Sequence, residues 1–63
     1  MSNRQQTILS TLQSGPASAQ TLASLLDAPQ ASIRRDVIRL RTLGYRIDDA
    51  RDFDGLYRLV GAL

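Results

Sequence analysis

The stretch Gln20-Thr21-Leu22-Ala23-Ser24-Leu25-Leu26-Asp27-Ala28-Pro29-Gln30-Ala31-Ser32-Ile33-Arg34-Arg35-Asp36-Val37-Ile38-Arg39-Leu40-Arg41-Thr42-Leu43 decides the fold. Its two halves carry apolar residues at helical spacing and meet at Asp27-Ala28-Pro29. In the first half, Leu22, Ala23, Leu25 and Leu26 give a broad apolar face over 19–26, with small residues that let another helix approach. Ser18 stands where a hydroxyl caps the first turn. Asp27 follows the last turn, and aspartate tolerates left-handed backbone better than most residues. In the second half, Ile33, Val37 and Leu40 lie at i, i+4 and i+7, which predicts one buried stripe on a helix over 30–43, ended by Gly44. At about 100° per residue, Ala31, Arg35, Ile38, Arg39 and Thr42 fall opposite that stripe, with Arg34 and Arg41 on its flank. Half of the chain's arginines therefore sit on one helix, against a single acid, Asp36.

Outward from this core stretch, the N-terminal segment predicts a helix over 3–13. Ser2 and Gln5 have capping-box spacing, and Ile8, Leu9 and Leu12 form an apolar stripe. Ser14-Gly15-Pro16 ends it, with Gly15 expected in a left-handed cap and Pro16 unable to continue the helix. Beyond Gly44 the period changes to two. Tyr45 and Ile47, then Tyr57 and Leu59, alternate with polar or outward residues around an Asp54-Gly55 turn signal. That pattern predicts a two-stranded hairpin whose Tyr45, Ile47, Tyr57 and Leu59 face the helices. Three helices followed by a hairpin make a mostly α, α+β domain over 1–63, in the order of a winged helix-turn-helix. In such an arrangement two helices hold the third so that its outer face projects, and a projecting helix fits the major groove of DNA, about 12 Å wide.

Composition removes other classes of function. The 63 residues contain no cysteine, histidine, lysine or glutamate. Disulfides, thiolate nucleophiles, the usual zinc ligand sets and imidazole base chemistry are absent with them. The aspartates lack calcium-loop spacing, so neither a metal nor a cofactor is expected, and the chain does not read as an enzyme. No apolar run reaches the roughly 18–20 residues that cross a bilayer, and the polar start from Met1 to Gln6 is unlike a signal peptide. The expectation is a soluble, cytoplasmic protein with no membrane partner. Net charge is only +2, but every cation is arginine, whose planar fork suits phosphate and guanine.

Ile33-Arg34-Arg35-Asp36-Val37, with Leu40 beyond, resembles the recognition-helix motif of the DeoR-type repressors, and Gln20 to Leu26 resembles their second helix. Gly44-Tyr45-Arg46-Ile47 and Gly55-Leu56-Tyr57-Arg58-Leu59 are similar to the wing of the biotin-repressor-type domain. The resemblance runs from about Ile8 to Leu59. It implies that the third helix enters operator DNA, with Ser32, Arg34 and Arg35 at the matching positions. Two departures stand out. Pro29 replaces the serine that caps the family's recognition helix, and the wing tip carries Asp48, Asp49, Asp52 and Asp54 against only Arg51 and nearby Arg46.

The expected function is sequence-specific binding of double-stranded DNA in transcription regulation, as a repressor of phage or plasmid economy. Arg35 leads the base contacts, with Arg34, Ser32 and Arg39, and with Gln30 and Ala31 at the start of the helix. Arg41, Arg58 and Arg4 are expected at phosphates, which set position while base edges set sequence. Asp36 and Arg39 have the spacing of a surface ion pair. Ile38 lies about 140° from the stripe, where it can meet a thymine methyl, the wing or a protein. A homodimer is expected, because regulators read paired half-sites. Leu56, Val60, Leu63 and exposed parts of the first helix form its surface. The alternative is a winged-helix protein–protein module without DNA binding, its partner engaged through the acidic wing.

Overall fold

The computed structural model describes residues 1–49 and 55–62. Helix α1 (Asn3–Ser14) is followed by strand β1 (Ala17–Ser18), helices α2 (Ala19–Leu26) and α3 (Gln30–Thr42), and strands β2 (Tyr45–Asp49) and β3 (Leu56–Ala62). Each helix boundary has a local cause. Ser2 caps α1 by accepting from Gln5 N, while the Gln5 side chain accepts from Ser2 N, so two orphan donors are satisfied reciprocally. Ser18 caps α2 by accepting from Thr21 N. Asp27 ends that helix in left-handed backbone at φ 52°, the one non-glycine described residue with a positive φ. Gly44, at φ 108°, supplies the turn after α3 that a side chain would strain.

Gly15 departs from expectation. Its φ of 161° is extended and not left-handed. Pro16 is the reason: a proline restricts the residue before it to extended backbone. The chain therefore leaves α1 already in strand conformation and makes β1.

That strand is the larger correction. The sheet has three antiparallel strands in the order β1-β3-β2, where the sequence predicts a two-stranded hairpin. Ala17 pairs with Tyr57 and Ser18 with Leu56, so the second hairpin strand lies in the middle of the sheet. On the other side, Asp48 pairs with Arg58 and Ile47 with Leu59, and the register shifts between Arg46 and Ile47. Of the expected Asp54-Gly55 turn, Gly55 takes left-handed backbone at φ 63°, and Asp54 lies outside the described residues.

The core is built from every element. Ile8, Leu9 and Leu12 of α1 meet Leu22 of α2, Ile33, Val37 and Leu40 of α3, Ile47 of β2 and Tyr57 of β3. Ile8, Leu22, Ile33 and Leu40 are fully buried. Tyr45 and Leu59 pack against this cluster as expected, partly buried. Leu25 does not join it. It is turned outward beside Gln20, Thr21 and Ser24, because it lies on the far side of Leu22 from Leu26 on a helix only 8 residues long.

Candidate nucleic-acid interface

The third helix is held from both sides, and the two attachments define which of its faces remains outside. Asp36 is the single buried charged residue among those described. Its carboxylate accepts from Arg4 Nε, from Arg4 Nη2 at 3.4 Å and from Gln5 Nε2 at 3.4 Å. This corrects one expectation: Asp36 does not pair with Arg39 along the helix surface, and its partner is Arg4, a residue the sequence offers to phosphate. The cause is position: Asp36 lies beside the buried stripe, on the flank that faces α1, whereas Arg39 lies on the outer side.

The pair contains an asymmetry. The Asp36 side chain keeps 9% of its exposure and that of Arg4 keeps 42%, so the arginine retains water and the aspartate does not. Removing the arginine leaves a desolvated carboxylate held by Gln5 alone. Removing the charge from the aspartate leaves an arginine that water can satisfy. Arg4→Ala is therefore expected to destabilise the fold by about 2 kcal/mol and Asp36→Asn by about 1 kcal/mol. Urea denaturation of the two variants checks this, and equal losses would contradict the assigned asymmetry.

On the opposite flank Arg41 ties α3 to the wing. Its Nε and Nη2 both donate to the carbonyl oxygen of Ile47, at 2.9 and 2.7 Å. Sequence reasoning placed Arg41 at a phosphate and missed this acceptor. Arg58, placed there too, is exposed on β3 in register with Asp48, an opposite-charge cross-strand position.

Between these attachments lies the outer face. Gln30, Ala31, Arg34, Arg35, Ile38, Arg39 and Thr42 are all exposed, and Ser32 is half-buried. Among the described residues, Arg34, Arg35 and Arg39 have no carboxylate partner. The one acid of the helix is turned inward, so among the described residues the outer face carries positive charge without an offsetting negative one. At its start, Pro29 accepts from Ser32 N and Ile33 N through its backbone oxygen, at 3.0 and 3.2 Å. No side chain caps this helix, unlike α1 and α2, because the proline ring offers no acceptor. The helix of 13 residues is about 20 Å long, enough to cross a major groove.

Of the acidic wing tip, only Asp48 has a described side chain, and it is exposed. The side chains of Asp49, Arg51, Asp52 and Asp54 lie outside the described residues. No described helix is long and apolar enough to cross a membrane.

A family model described as an HTH domain matches residues 4–52. The match takes in all three helices and β2. No curated protein and no solved structure gives a significant match to the chain.

Proposed function

Because the chain belongs to the helix-turn-helix domain family, a family of DNA-binding modules, we propose that it is a sequence-specific regulator of transcription that reads the major groove with α3. One observation carries this reading: the inward turn of Asp36, which leaves Arg34, Arg35 and Arg39 on a projecting face with no acid among them. Arg35 lies nearest the centre of that face and takes the principal base contact. Arg34 and Arg39 flank it, and Gln30, Ala31 and half-buried Ser32 supply the first turn. Arg41 and Arg58 hold the wing and contact phosphate only at its edge. The resemblance to DeoR-type repressors favours repression by occupancy of an operator.

The test is binding to random duplex DNA over a series of salt concentrations, followed by selection of enriched sequences. Each neutralised phosphate contributes a slope of about −0.9 in log affinity against log salt. Affinity that falls steeply with salt, together with an enriched sequence, supports the reading. A flat salt dependence would overturn it in favour of a protein-binding module.

The regulator works as a homodimer in this reading, since a single α3 spans too few base pairs for an operator and paired half-sites mirror paired subunits. Val60 is 63% exposed on β3, in a shallow depression with Tyr45 and Arg46, and Leu56 is half-buried four residues earlier on the same strand. Leu63, the third residue expected there, lies outside the described residues. Val60→Asp is expected to convert dimer to monomer with the fold intact. Sedimentation equilibrium checks it; a wild type that is monomeric both free and on saturated DNA rules the dimer out.

A further inference from the structure

Ile38 is the unexplained residue of the outer face. It is 59% exposed on a helix whose other outward positions are arginine, glutamine, threonine and alanine. Its neighbours one turn away are Arg34 and Arg35 before it and Arg41 and Thr42 after it. Among the described residues the wing leaves it open, and the α3 side chain that hydrogen-bonds to β2 is Arg41, three positions further on. The position is also rigid. A β-branched residue in a helix keeps one dominant χ1 rotamer, so the direction of its γ-carbons is set before any partner arrives.

We propose that Ile38 selects a thymine in the operator by packing on its 5-methyl group. This rests on the DNA-binding reading above. The occupant follows from the surroundings. Anything that covers Ile38 must also accept the arginines around it, and a major groove does both. Phosphates and guanine edges meet the arginines, and the 5-methyl of thymine is the apolar group that a base edge presents in that groove. The geometry of the face matches this division. Ile38 and Ala31 occupy one side of its midline two turns apart, with Arg34 on the flank beyond them and Arg35 and Arg39 on the other side. Ile38 thus adds discrimination of T·A from C·G at a position where no side-chain hydrogen bond is made.

The experiment uses the operator enriched by the wild-type chain, with each thymine replaced in turn by deoxyuridine. This removes one methyl group and preserves base pairing. Loss of one buried methyl is expected to weaken binding roughly fourfold at one position of each half-site. Ile38→Ala is expected to bind the thymine and uracil duplexes equally, and Ile38→Val to retain part of the difference. Because the side chain is exposed, both variants should keep the wild-type denaturation midpoint. Neutral replacement at every thymine overturns the proposal, and so does a uracil penalty that persists in Ile38→Ala. A change in sedimentation of Ile38→Ala with an unchanged uracil penalty assigns the residue to a contact between copies and also overturns it. A wild type that enriches no sequence defeats the DNA-binding reading itself, whereas an enriched operator indifferent to uracil defeats only the role of Ile38.

Discussion

Arg35→Ala is expected to weaken operator binding by about 1–3 kcal/mol, the usual value of a bidentate base contact, while leaving the fold unchanged. The expectation of an intact fold follows from exposure: Arg35 lies opposite Ile33 and Leu40 and has no carboxylate partner among the described residues. Arg35→Lys separates its two contributions. Lysine keeps the charge, so the salt slope should remain near that of wild type. Its single ammonium lacks the fork that spans two acceptors on guanine, so discrimination between sequences should fall. Fluorescence anisotropy on the enriched operator and on a scrambled duplex measures both. If Arg35→Ala binds the operator as tightly as wild type, the principal base contact is elsewhere on α3.

Leu40→Ala is expected to destabilise the domain by about 2–5 kcal/mol. Leu40 is fully buried where α3 meets the rest of the core, and the cavity has little means of collapse between rigid helices. A chain of 63 residues has a total stability on the order of 3–9 kcal/mol, so this one change can consume most of it. Thermal denaturation followed by circular dichroism checks it. A midpoint within a few degrees of wild type would mean that the core repacks around the missing side chain. DNA binding should be lost with the fold, in contrast to Arg35→Ala, where binding is lost from a folded protein.

Most of the helical framework was legible in the sequence because its causes are local. The Ser2–Gln5 capping box, the Ser18 cap, the left-handed Asp27 and the Gly44 turn each depend on residues within a few positions of one another. The buried stripe of α3 follows from periodicity alone. What was not legible depends on partners far along the chain. Two residues cannot display a period, so β1 exists only because β3 offers Ala17 and Ser18 a ladder. Arg4 has no local signal for its role, since Asp36 is 32 positions away. Arg41 bonds to a backbone oxygen, and no pattern of side chains announces such an acceptor. At the site, the orientation of Arg35 and Ile38 was readable from helical angle. The fate of Asp36 was not, because the same angle allows a neighbour on its own helix or a partner across the core.

The pairing of β1 with β3 also bears on how the chain reaches its fold. Both helices of the central motif lie between Ala17 and Tyr57, so this short ladder closes the loop that contains them. Helices α2 and α3 can meet early, across a connection of only Asp27, Ala28 and Pro29. The ladder brings together residues far apart in sequence and must first overcome the entropy of closing that loop. Substitutions at Ala17 or Tyr57 should accordingly act mainly on the unfolding rate, whereas substitutions between α2 and α3 should slow folding. The strand least visible in the sequence is thus expected to close late, as a kinetic latch around α2 and α3.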